Sequence, residues 1–578
     1  MTADCGDPAP AALRSLVDLI RHRAATQPHD CAYTLLSDRG RAEGSITFAE
    51  LAGRATALAG RLAARAPPGE RALLLCPGGI DFMVALFGCL LARIIAVPLM
   101  LPRRQSGRDA SAGIVADCAP RLALAPGAVI EGRRGELAER FAAGGLEWLA
   151  VDEAAADGAP PRLLPAPAED DIALLQYTSG STSAPRGVVL SHANLLANLA
   201  MIRRAFGNTA RSTYVSWVPL YHDMGLIVNV LQSLFVGSRC VLMAPVAFIQ
   251  RPLVWLRAIG EYRAEVAGGP NFAYDLCVER YRPEQMAGID LSGWRLAFNG
   301  AEPVRAETLR RFAATFAPHG FAPAALYPAY GMAEATVLVS AGRRGAGPAL
   351  RRVSRDGLQH HRAAAPREAG DAQALVGCGR ALEGERIAIV DPASRKRLDP
   401  EAVGEIWVAG PNIARGYWRN ATAGDDVFGG RLDDGEEGEW LRTGDLGFLD
   451  AAGELFITGR IKEVIIIRGA NHYPQDIEDT VQRCHPALRR HGGAAFAVTG
   501  NGAAEELVVV QEIERTHRNR VDAGEITGRI REAIVNEHEI APRDIALLRP
   551  GALPKTTSGK IQRSLSRQLW LDGALQRL

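Results

Sequence analysis

Net charge is almost absent from this chain of 578 residues. Its 66 lysine and arginine residues are balanced by 65 aspartate and glutamate residues, which leaves a formal charge of +1. Such a balance produces no global field that would attract nucleic acid or an anionic membrane. We therefore expect no nucleic-acid partner, and the evidence for function must come from local motifs.

The nine cysteines lack a pattern. None of them belongs to a Cys-x-x-Cys pair, and an odd, scattered set fits neither a disulfide framework nor a zinc site. The N-terminus carries Asp4 and Asp7 and lacks the apolar core of a secretory peptide. These absences predict a cytoplasmic protein with reduced thiols.

A long uninterrupted apolar run is also missing. The most membrane-like stretch extends from Phe82 to Leu101, but Arg93 and Pro98 interrupt it, and Pro98 would break a spanning helix. We interpret this stretch as a buried helix over 82–92 followed by a buried strand over 94–100. The sequence therefore predicts no integral membrane segment.

Short strand-like runs alternate with helical patterns through the first 450 residues, which predicts an α/β fold of mainly parallel sheets covered by helices. The clearest strand-like runs are 72–76, 94–97, 213–218, 240–243, 265–267 and 295–298, and the clearest helical patterns are 47–65, 193–205, 251–263 and 303–316. Later runs at 387–390, 404–408 and 455–458 indicate a smaller strand-rich module.

The last 118 residues predict a small αβ unit of their own. Strands are expected at 463–467, 494–498 and 507–513, and helices near 475–484 and 525–538. A chain of this length is too long for one core. We therefore expect a large domain over 1–459 and a small, mobile C-terminal domain over 460–578.

Residues 341–376 are rich in Arg, Gly, Ala and Pro and show little periodicity. We interpret this segment as a long insertion or a mobile loop. Loops of this length are usually functional or disordered.

One polar loop stands out in the sequence QYTSGSTSAPRGVVLS at 176–191. It lies between the apolar runs 172–175 and 188–190, so it is expected to connect two strands. Its hydroxyls and backbone N–H groups could wrap a phosphate chain. No Gly-Lys-Ser/Thr opens a helix here, so it is not a Walker A loop, and an ordinary turn is the alternative.

Five further motifs follow this loop in order. They are SWVPLYHDMGLI (216–227), NGAEPV (299–304), YPAYGMAEAT (327–336), LRTGDLGFLDAAGELFITGRIKEVIIIRG (441–469) and LPKTTSGKIQR (553–563). Together the six segments resemble the core motifs of the ATP-dependent adenylate-forming enzymes, which include acyl-CoA synthetases, nonribosomal peptide adenylation domains and firefly luciferase. The resemblance covers about residues 45 to 570.

Within that superfamily, the strings LQYTSGST, PLYHDMGLI, GGPNFAYDLC and RGANHYPQDIE are most similar to the fatty acyl-AMP ligases. The resemblance implies that a medium- or long-chain fatty acid is activated with ATP and Mg²⁺. The acyl group then passes to the phosphopantetheine thiol of an acyl carrier protein of a polyketide or peptide synthase. The segment 341–376 lies where these ligases carry an insertion that hampers the domain rotation needed to make acyl-CoA.

The resemblance assigns the phosphate and nucleotide contacts. The loop Thr178, Ser179, Gly180, Ser181 and Thr182 would hold the β- and γ-phosphates, with Arg186 where relatives usually carry lysine. Adenine would lie between the backbone of Gly300, Ala301 and Glu302 and the motif of Tyr330, Gly331 and Met332. Asp445 would accept from the ribose hydroxyls, helped by Arg460.

The resemblance also assigns the reacting end. Lys560 would be the catalytic lysine, and Glu334 would hold Mg²⁺. Ala333 replaces a usual threonine, so a hydroxyl contact to the α-phosphate region is either missing or moved to Thr336. His222 would line the acyl entrance or orient the carboxylate; a structural histidine is the alternative.

The remaining assignments concern the acyl pocket and the hinge. Ile227, Gly269 and Phe272 would line the apolar pocket, although an apolar stripe is more often plain core. Lys462, two residues after Arg460, would lie at the hinge. Two other functions stay open: a long-chain acyl-CoA synthetase, and a non-catalytic acyl or nucleotide sensor.

Overall fold

The structure is a computed structural model. It describes residues 13–102, 111–141, 145–153, 164–178, 185–434, 436–499, 505–517, 522–556 and 559–578. Four residues of the predicted phosphate loop, Ser179, Gly180, Ser181 and Thr182, lie outside this description. Within the described ranges, none of the helices has the length and apolarity needed to span a bilayer.

The strands alternate with helices along most of the chain. The strands are β1 (Cys31–Leu36), β2 (Ala42–Thr47), β3 (Arg71–Leu74), β4 (Ile95–Pro98), β5 (Leu122–Ala125), β6 (Glu147–Ala150), β7 (Ile172–Thr178), β8 (Arg186–Ser191), β9 (Thr213–Ser216), β10 (Arg239–Met243), β11 (Val266–Gly269), β12 (Leu296–Asn299), β13 (Leu326–Tyr330), β14 (Ser340–Ala341), β15 (Leu350–Ser354), β16 (Ala372–Val376), β17 (Arg380–Ala381), β18 (Arg386–Val390), β19 (Gly404–Ala409), β20 (Leu441–Leu449), β21 (Leu455–Arg460), β22 (Ile465–Ile467), β23 (Ala470–His472), β24 (Leu488–Thr499), β25 (Glu505–Ile513) and β26 (Asp544–Leu548).

The α-helices are α1 (Leu16–Thr26), α2 (Phe48–Ala63), α3 (Ile80–Leu91), α4 (Ser111–Cys118), α5 (Gly127–Arg140), α6 (His192–Phe206), α7 (Gln232–Val236), α8 (Pro245–Gln250), α9 (Leu253–Glu261), α10 (Asn271–Glu279), α11 (Ala306–Phe316), α12 (Arg355–Gln359), α13 (Ala421–Phe428), α14 (Pro474–Cys484), α15 (Ala523–His538) and α16 (Arg563–Leu571). A π-helix covers Met224–Leu231. Short 3-10 turns cover Pro283–Gln285, Ala317–His319, Pro323–Ala325, Ala333–Ala335 and Ile461–Glu463.

Two mainly parallel sheets form the N-terminal part, as the sequence predicted. The larger has nine strands in the order β17-β14-β13-β12-β11-β9-β10-β1-β2, and its six strands from β13 to β1 run parallel. The second has six strands in the order β6-β5-β3-β4-β7-β8, with β8 antiparallel to β7. Central strands such as β11 and β12 are buried at every residue, which is typical of parallel sheets covered on both faces.

Local sequence explains how the covering helices form. In α2, the Thr47 side chain accepts from the Glu50 backbone N–H while the Glu50 carboxylate accepts from the Thr47 backbone N–H, which makes a complete capping box. Phe48, Leu51 and Leu58 then lie on one buried face at helical spacing. The predicted helix 82–92 and strand 94–100 are confirmed as α3 and β4.

The C-terminal part contains the smaller sheets. Strands β18-β19-β20-β21 form an antiparallel sheet, and β24-β25-β26 form a sheet against which α14 packs. A separate apolar cluster within residues 465–547 includes Ile477, Val509, Ile530 and Leu547. The expected strands and helices of this region are therefore present, mostly within two residues of their predicted bounds, although β24 begins six residues before the predicted 494.

The sequence left two interpretations of the segment 341–376, a long insertion or a mobile loop, and the structure differs from the second. The segment is not an unstructured loop, because β15 and β16 pair in an antiparallel hairpin with α12 between them. Val353 and Leu358 are buried in a cluster with Phe448 of β20 and Tyr473. The segment has few large apolar side chains, but these two lie at positions where they join the surrounding core.

Candidate active site

The candidate site lies at one edge of the nine-stranded sheet. The carboxyl ends of its parallel strands meet there, which is where ligands bind in open α/β sheets. Trp217 follows β9, Gly269 ends β11, Gly300 follows β12 and Gly331 follows β13. Motifs that are far apart in the sequence are therefore brought together by the strand order.

At two positions at this edge only glycine fits, because the carbonyl oxygen of another backbone segment lies too close for a Cβ atom. A Cβ at Gly300 would lie 2.8 Å from the Ala329 carbonyl oxygen, and a Cβ at Gly331 would overlap the Val337 carbonyl oxygen. The neighbouring Ala301 has φ +71°, a left-handed conformation that non-glycine residues rarely adopt. The structure thus places a tight, bare backbone surface where the adenine base was predicted to lie.

Asp445 is held by the predicted nucleotide residues. Tyr330 donates its hydroxyl to Asp445 Oδ2 at 2.8 Å, and Arg460 donates Nε to Asp445 Oδ1 at 2.7 Å. Burial, together with the Asp445 charge, raises the pKa of the Tyr330 hydroxyl, so it stays a donor. Tyr330 of β13 and Arg460 of β21 therefore fix the Asp445 carboxylate of β20, and Gly331 and Met332 directly follow Tyr330 in the chain.

Glu334 is buried and has a specific partner. Tyr417 donates its hydroxyl to Glu334 Oε1 at 2.8 Å, and the Arg186 guanidinium lies 5.2 Å from the centre of the Tyr417 ring. Burial raises the pKa of Glu334, although the Tyr417 hydrogen bond opposes this effect. Arg186 pairs with Thr178 in the β7–β8 ladder, so Arg186 and Thr178 flank the predicted phosphate loop.

Thr336 does not supply the missing hydroxyl. Its side chain is fully buried and donates to the Asn412 carbonyl oxygen at 2.6 Å. Its backbone, at φ +66° and ψ −63°, is that of a rare, strained γ-turn, closed by the Val337 N–H on the Ala335 carbonyl oxygen. Of the two alternatives for this contact, the structure favours its absence.

The catalytic-lysine candidate interacts electrostatically with three carboxylates. Burial lowers the pKa of Lys560, and the charges of Asp223, Glu302 and Asp445 oppose this decrease. Glu302 Oε1 is buried and has no hydrogen-bond partner among the described residues. The C-terminal segment therefore brings a cation within electrostatic reach of three carboxylates and of the Arg460 guanidinium.

His222 and Asp223 form a close pair at the start of the π-helix. His222 Nδ1 lies 2.5 Å from Asp223 Oδ1, and the same carboxylate oxygen accepts from the Met224 N–H at 2.7 Å. Burial would raise the pKa of Asp223, but His222 and Lys560 lower it overall, so this carboxyl stays ionised.

Aromatic side chains form the wall beside the sheet edge. The Phe272 and Trp217 rings meet edge to face with centroids 5.7 Å apart, and a Cβ at Gly269 would lie 2.8 Å from Trp217 Cζ2. A Cβ at Gly559, in the lysine loop, would lie 3.2 Å from the Phe272 ring. Ile227 is fully buried in the π-helix.

Sequence reasoning missed three residues of this site. Tyr417 lies in the string RGYW outside the six motifs, and Trp217 was inside a motif but had no assigned role. Asn299 is fully buried, and neither polar atom of its amide has a hydrogen-bond partner among the described residues. Such an amide needs a ligand or water, which its position directly before Gly300 could have suggested.

Comparison with known proteins agrees with this geometry. Residues 20–418 match the family model described as AMP-binding enzyme, and residues 462–578 match the model described as Disco-interacting protein 2-like, AMP domain. The medium-chain-fatty-acid–[acyl-carrier-protein] ligase JamA of Moorena producens is 42% identical over 575 residues, which cover 97% of this chain and 96% of that protein.

The chain belongs to the AMP-binding enzymes, in their fatty acyl-AMP ligase branch. A solved fatty acid AMP ligase from Legionella pneumophila is 37% identical, with a TM-score of 0.74 and coverage of 98% of this chain and 97% of that one. A second structure, from work on the fatty acyl-adenylate ligases of E. coli and L. pneumophila, is 32% identical with a TM-score of 0.86, and covers 97% and 98% of the two chains. These fatty acyl-AMP ligase structures share the α/β architecture described above.

Proposed function

We propose that this chain activates a medium- or long-chain fatty acid and loads it onto an acyl carrier protein. A carboxylate oxygen attacks the α-phosphorus of ATP, the bond to the β-phosphate oxygen breaks, and pyrophosphate leaves. The phosphopantetheine thiol then loses its proton and attacks the acyl carbonyl carbon. A thioester forms, the carbon–oxygen bond to AMP breaks, and AMP leaves.

The observation that carries the proposal is the position of Lys560. Its charge interacts favourably with those of Asp223, Glu302 and Asp445 and unfavourably with that of Arg460, and the adjoining Gly559 lies against the Phe272 ring beside the sheet edge. A cation here would neutralise charge that grows on the attacking carboxylate and the α-phosphate in the transition state. JamA, a fatty-acid–[acyl-carrier-protein] ligase by name, supports the substrate and the acceptor.

The phosphates of ATP would be held at the opposite side of the site. The loop from Thr178 to Thr182 and the Arg186 guanidinium are the proposed contacts for the β- and γ-phosphates. Glu334 is the proposed Mg²⁺ ligand, and one carboxylate fits a cation that otherwise takes phosphate and water oxygens. When bound, Mg²⁺ would offset phosphate charge, and Tyr417 would fix the orientation of the Glu334 carboxylate.

The nucleoside would be positioned by fixed groups. Asp445 would accept from the ribose hydroxyls, because Tyr330 and Arg460 already hold its carboxylate in one orientation. The backbone of Gly300, Ala301 and Glu302 would lie along one face of adenine, and Tyr330, Gly331 and Met332 would border the other side.

The acyl end would lie against the aromatic wall. We propose that His222 orients the carboxylate and that Ile227, Gly269 and Phe272 line the chain pocket. Contact of the Gly559 loop with the Phe272 ring would close this pocket when Lys560 is in place. Water would then be excluded from the adenylate.

The two half-reactions, adenylate formation and acyl transfer, require different arrangements of the large and the small domain. We propose a large domain over 1–459 and a small domain over 460–578, with the hinge at Lys462. This residue is exposed in a single 3-10 turn directly after β21, so few contacts would oppose a rotation there. A cytoplasmic carrier protein of a polyketide or peptide synthase is the proposed acceptor.

The experiment that tests this function separates the two steps. Fatty acids from C6 to C18 are offered one at a time with ATP and Mg²⁺, and exchange of labelled pyrophosphate into ATP is measured. CoA and a phosphopantetheinylated carrier are then offered separately, and products are identified by mass. We expect acid-dependent exchange, acylation of the carrier and little acyl-CoA.

Each outcome has a definite meaning. Absence of exchange with every acid would remove the enzymatic function and leave a binding protein. Efficient acyl-CoA synthesis by the intact chain would instead indicate an acyl-CoA synthetase.

A further inference from the structure

A surface cavity that contains none of the nucleotide-motif residues is lined by arginines. It has a volume of about 580 Å³ and lies between the β1–β2 turn, the start of α9 and the end of α10. Its arginines are Arg39, Arg41, Arg251, Arg257, Arg280 and Arg282. Six cations in one cavity contrast with a chain whose net charge is only +1.

These cations are poorly neutralised by the chain itself. Five of the six are exposed, with Arg257 half-buried. Within the described ranges, Arg251 is the member with an ion pair, to Asp38 Oδ2 at 3.6 Å, and that pair is itself exposed. Like charges held together with one exposed carboxylate among them destabilise a fold slightly, so such a cluster is best explained by an anionic partner.

The cavity is built rather than accidental. Arg257 donates to the Arg39 carbonyl oxygen at 3.3 Å, and Arg251 donates to the Asp38 carbonyl oxygen at 3.4 Å. These bonds join the β1–β2 turn to the start of α9. The arginine side chains therefore extend from backbone segments that hydrogen bonds hold together.

An exposed apolar pair lies directly beside the arginines. Val246 and Ile249 of α8 are 59% and 49% exposed, and Ile249 immediately precedes Gln250 and Arg251, which line the cavity. An apolar contact bordered by cations is the pattern of a protein-docking surface. We name Val246, Ile249 and the six arginines the arginine surface.

The arginine surface is connected to the acyl pocket by packed elements. Phe248, between the two exposed residues, stacks on Trp217 with ring centroids 4.0 Å apart. Helix α10 begins at Asn271, next to Phe272 of the aromatic wall, and ends one residue before Arg280. A helix of this length spans roughly 13 Å, so a protein docked at the arginines would lie near the pocket.

We propose that the arginine surface docks the acyl carrier protein, through carboxylates on the carrier and an apolar contact at Val246 and Ile249. This proposal rests on the proposed function, because the acceptor is the macromolecule that must come near the acyl pocket. A folded, acidic carrier fits both the cations and the apolar pair. An anionic membrane shares the charge, but two apolar side chains on a helix of six residues give it little to insert.

The test compares two double charge reversals of equal size. Arg280→Glu with Arg282→Glu alters the arginine surface, and Arg21→Glu with Arg211→Glu alters exposed arginines outside it. Binding of an acidic phosphopantetheinylated carrier is measured by interferometry, and transfer kinetics are measured in parallel. We expect the first pair to raise the Kd and the KM for carrier about 10-fold at low salt. The second pair should change them less than about 2-fold.

Further measurements separate docking from chemistry. Pyrophosphate exchange, and acyl transfer to free pantetheine, should be unchanged in both variants. Added salt should weaken wild-type binding and reduce the difference between variants. Val246→Ser with Ile249→Ser should also raise the KM for carrier without a change in salt dependence.

Three results would overturn the proposal. An equal loss of carrier affinity in the two charge-reversal variants would mean that net charge, not this surface, governs binding. Unchanged carrier binding with lost binding to phosphatidylglycerol vesicles would assign the surface to a membrane. Unchanged binding to both would leave the arginines without this role. Absence of pyrophosphate exchange in the wild type would count against the enzyme function alone, because the carrier Kd is measured without catalysis.

Discussion

His491 and Asp275 join distant parts of the chain at the candidate site. His491 Nε2 lies 2.8 Å from Asp275 Oδ2, and both side chains are largely buried. Thr308 and Arg311 also bond the Asp275 carboxylate. Burial would raise the pKa of Asp275, but His491, Thr308 and Arg311 together lower it. The carboxylate is therefore ionised and available to hold the C-terminal segment.

The same histidine supports the lysine loop. Lys555 donates Nζ to the His491 carbonyl oxygen at 2.5 Å. We expect His491→Gln to slow adenylate formation about 3- to 10-fold, because a charge-assisted hydrogen bond that favours the closed arrangement is weakened. Single-turnover kinetics measure this step. The control is His360→Gln at an exposed histidine, and an equal loss there would contradict the interpretation.

Lys560→Ala should affect chemistry rather than binding. We expect ATP affinity to stay nearly intact while adenylate formation slows about 10²- to 10³-fold, the scale of losing one transition-state contact. Nucleotide titration and quenched-flow kinetics separate the two quantities. If the variant raised only the KM for ATP, the assigned role of Lys560 would be wrong.

The lowered pKa of Lys560 also predicts a pH dependence. In the proposed mechanism the protonated lysine is the active form, and burial lowers its pKa below the ordinary value of 10.5. Its charge is therefore lost at a lower pH than for an exposed lysine, and kcat/KM for adenylation should fall on that alkaline side. Lys560→Arg should shift this fall to higher pH, whereas an unchanged profile would assign it to another group.

Asp445 should contribute to binding in ground and transition states alike. Asp445→Asn is expected to raise the Kd for ATP about 10-fold or more, with a smaller effect on the rate at saturation. Tyr330→Phe removes one hydrogen bond to the same carboxylate, so its effect should have the same sign and be smaller. Calorimetry of ATP binding tests the order of the two variants, and a larger loss in Tyr330→Phe would reverse our assignment.

The hinge prediction concerns Lys462. Lys462→Pro fixes φ in the turn between β21 and β22 and should impair acyl transfer more than adenylation. Pyrophosphate exchange and carrier loading are measured on the same preparation. Lys462→Ala is the control, since it removes the charge but leaves the backbone free. Equal losses in both half-reactions would place the hinge elsewhere.

The hairpin segment 341–376 contacts the C-terminal part directly. Asn471 donates Nδ2 to the Gln359 carbonyl oxygen at 2.9 Å, and Arg355 lies 3.6 Å from Glu537. We expect Arg355→Ala with Asn471→Ala to loosen this contact and to permit measurable acyl-CoA formation while adenylation continues. Product analysis by mass, with Arg352→Ala as control, tests this. An unchanged product spectrum would mean that the segment does not restrict the acceptor.

This contact also changes what is expected of a deletion. The few large apolar side chains of the segment predict weak anchoring, so that removal of residues near 345–370 would be tolerated. The structure contradicts weak anchoring, because Val353 and Leu358 are buried in a shared core. Loss of two such side chains lowers the free energy of unfolding by several kcal/mol, so a deletion could unfold the protein. The point variants Arg355→Ala and Asn471→Ala are therefore the better test.

The parts of the fold that the sequence predicted have strong periodicity. The helix expected near 525–538 is α15, Ala523–His538, and the alternation of buried runs with amphipathic helices correctly indicated parallel sheets. The hairpin of β15 and β16 was missed because its pairs are about twenty residues apart and its burial does not alternate along either strand. Tyr417 was missed for a related reason, since its contact with Glu334 spans 83 positions.

The π-helix Met224–Leu231 makes the proposed acyl pocket sensitive to the insertion or deletion of a single residue. The Gln232 N–H reaches back to the Ile227 carbonyl oxygen, five residues earlier, so this stretch contains more residues per turn than an α-helix. Deletion of one residue would let the stretch relax to α-helical bonding and turn the following side chains by roughly 100°. Acyl selectivity could then diverge among relatives through single-residue gaps in an alignment, with no apolar side chain exchanged for another.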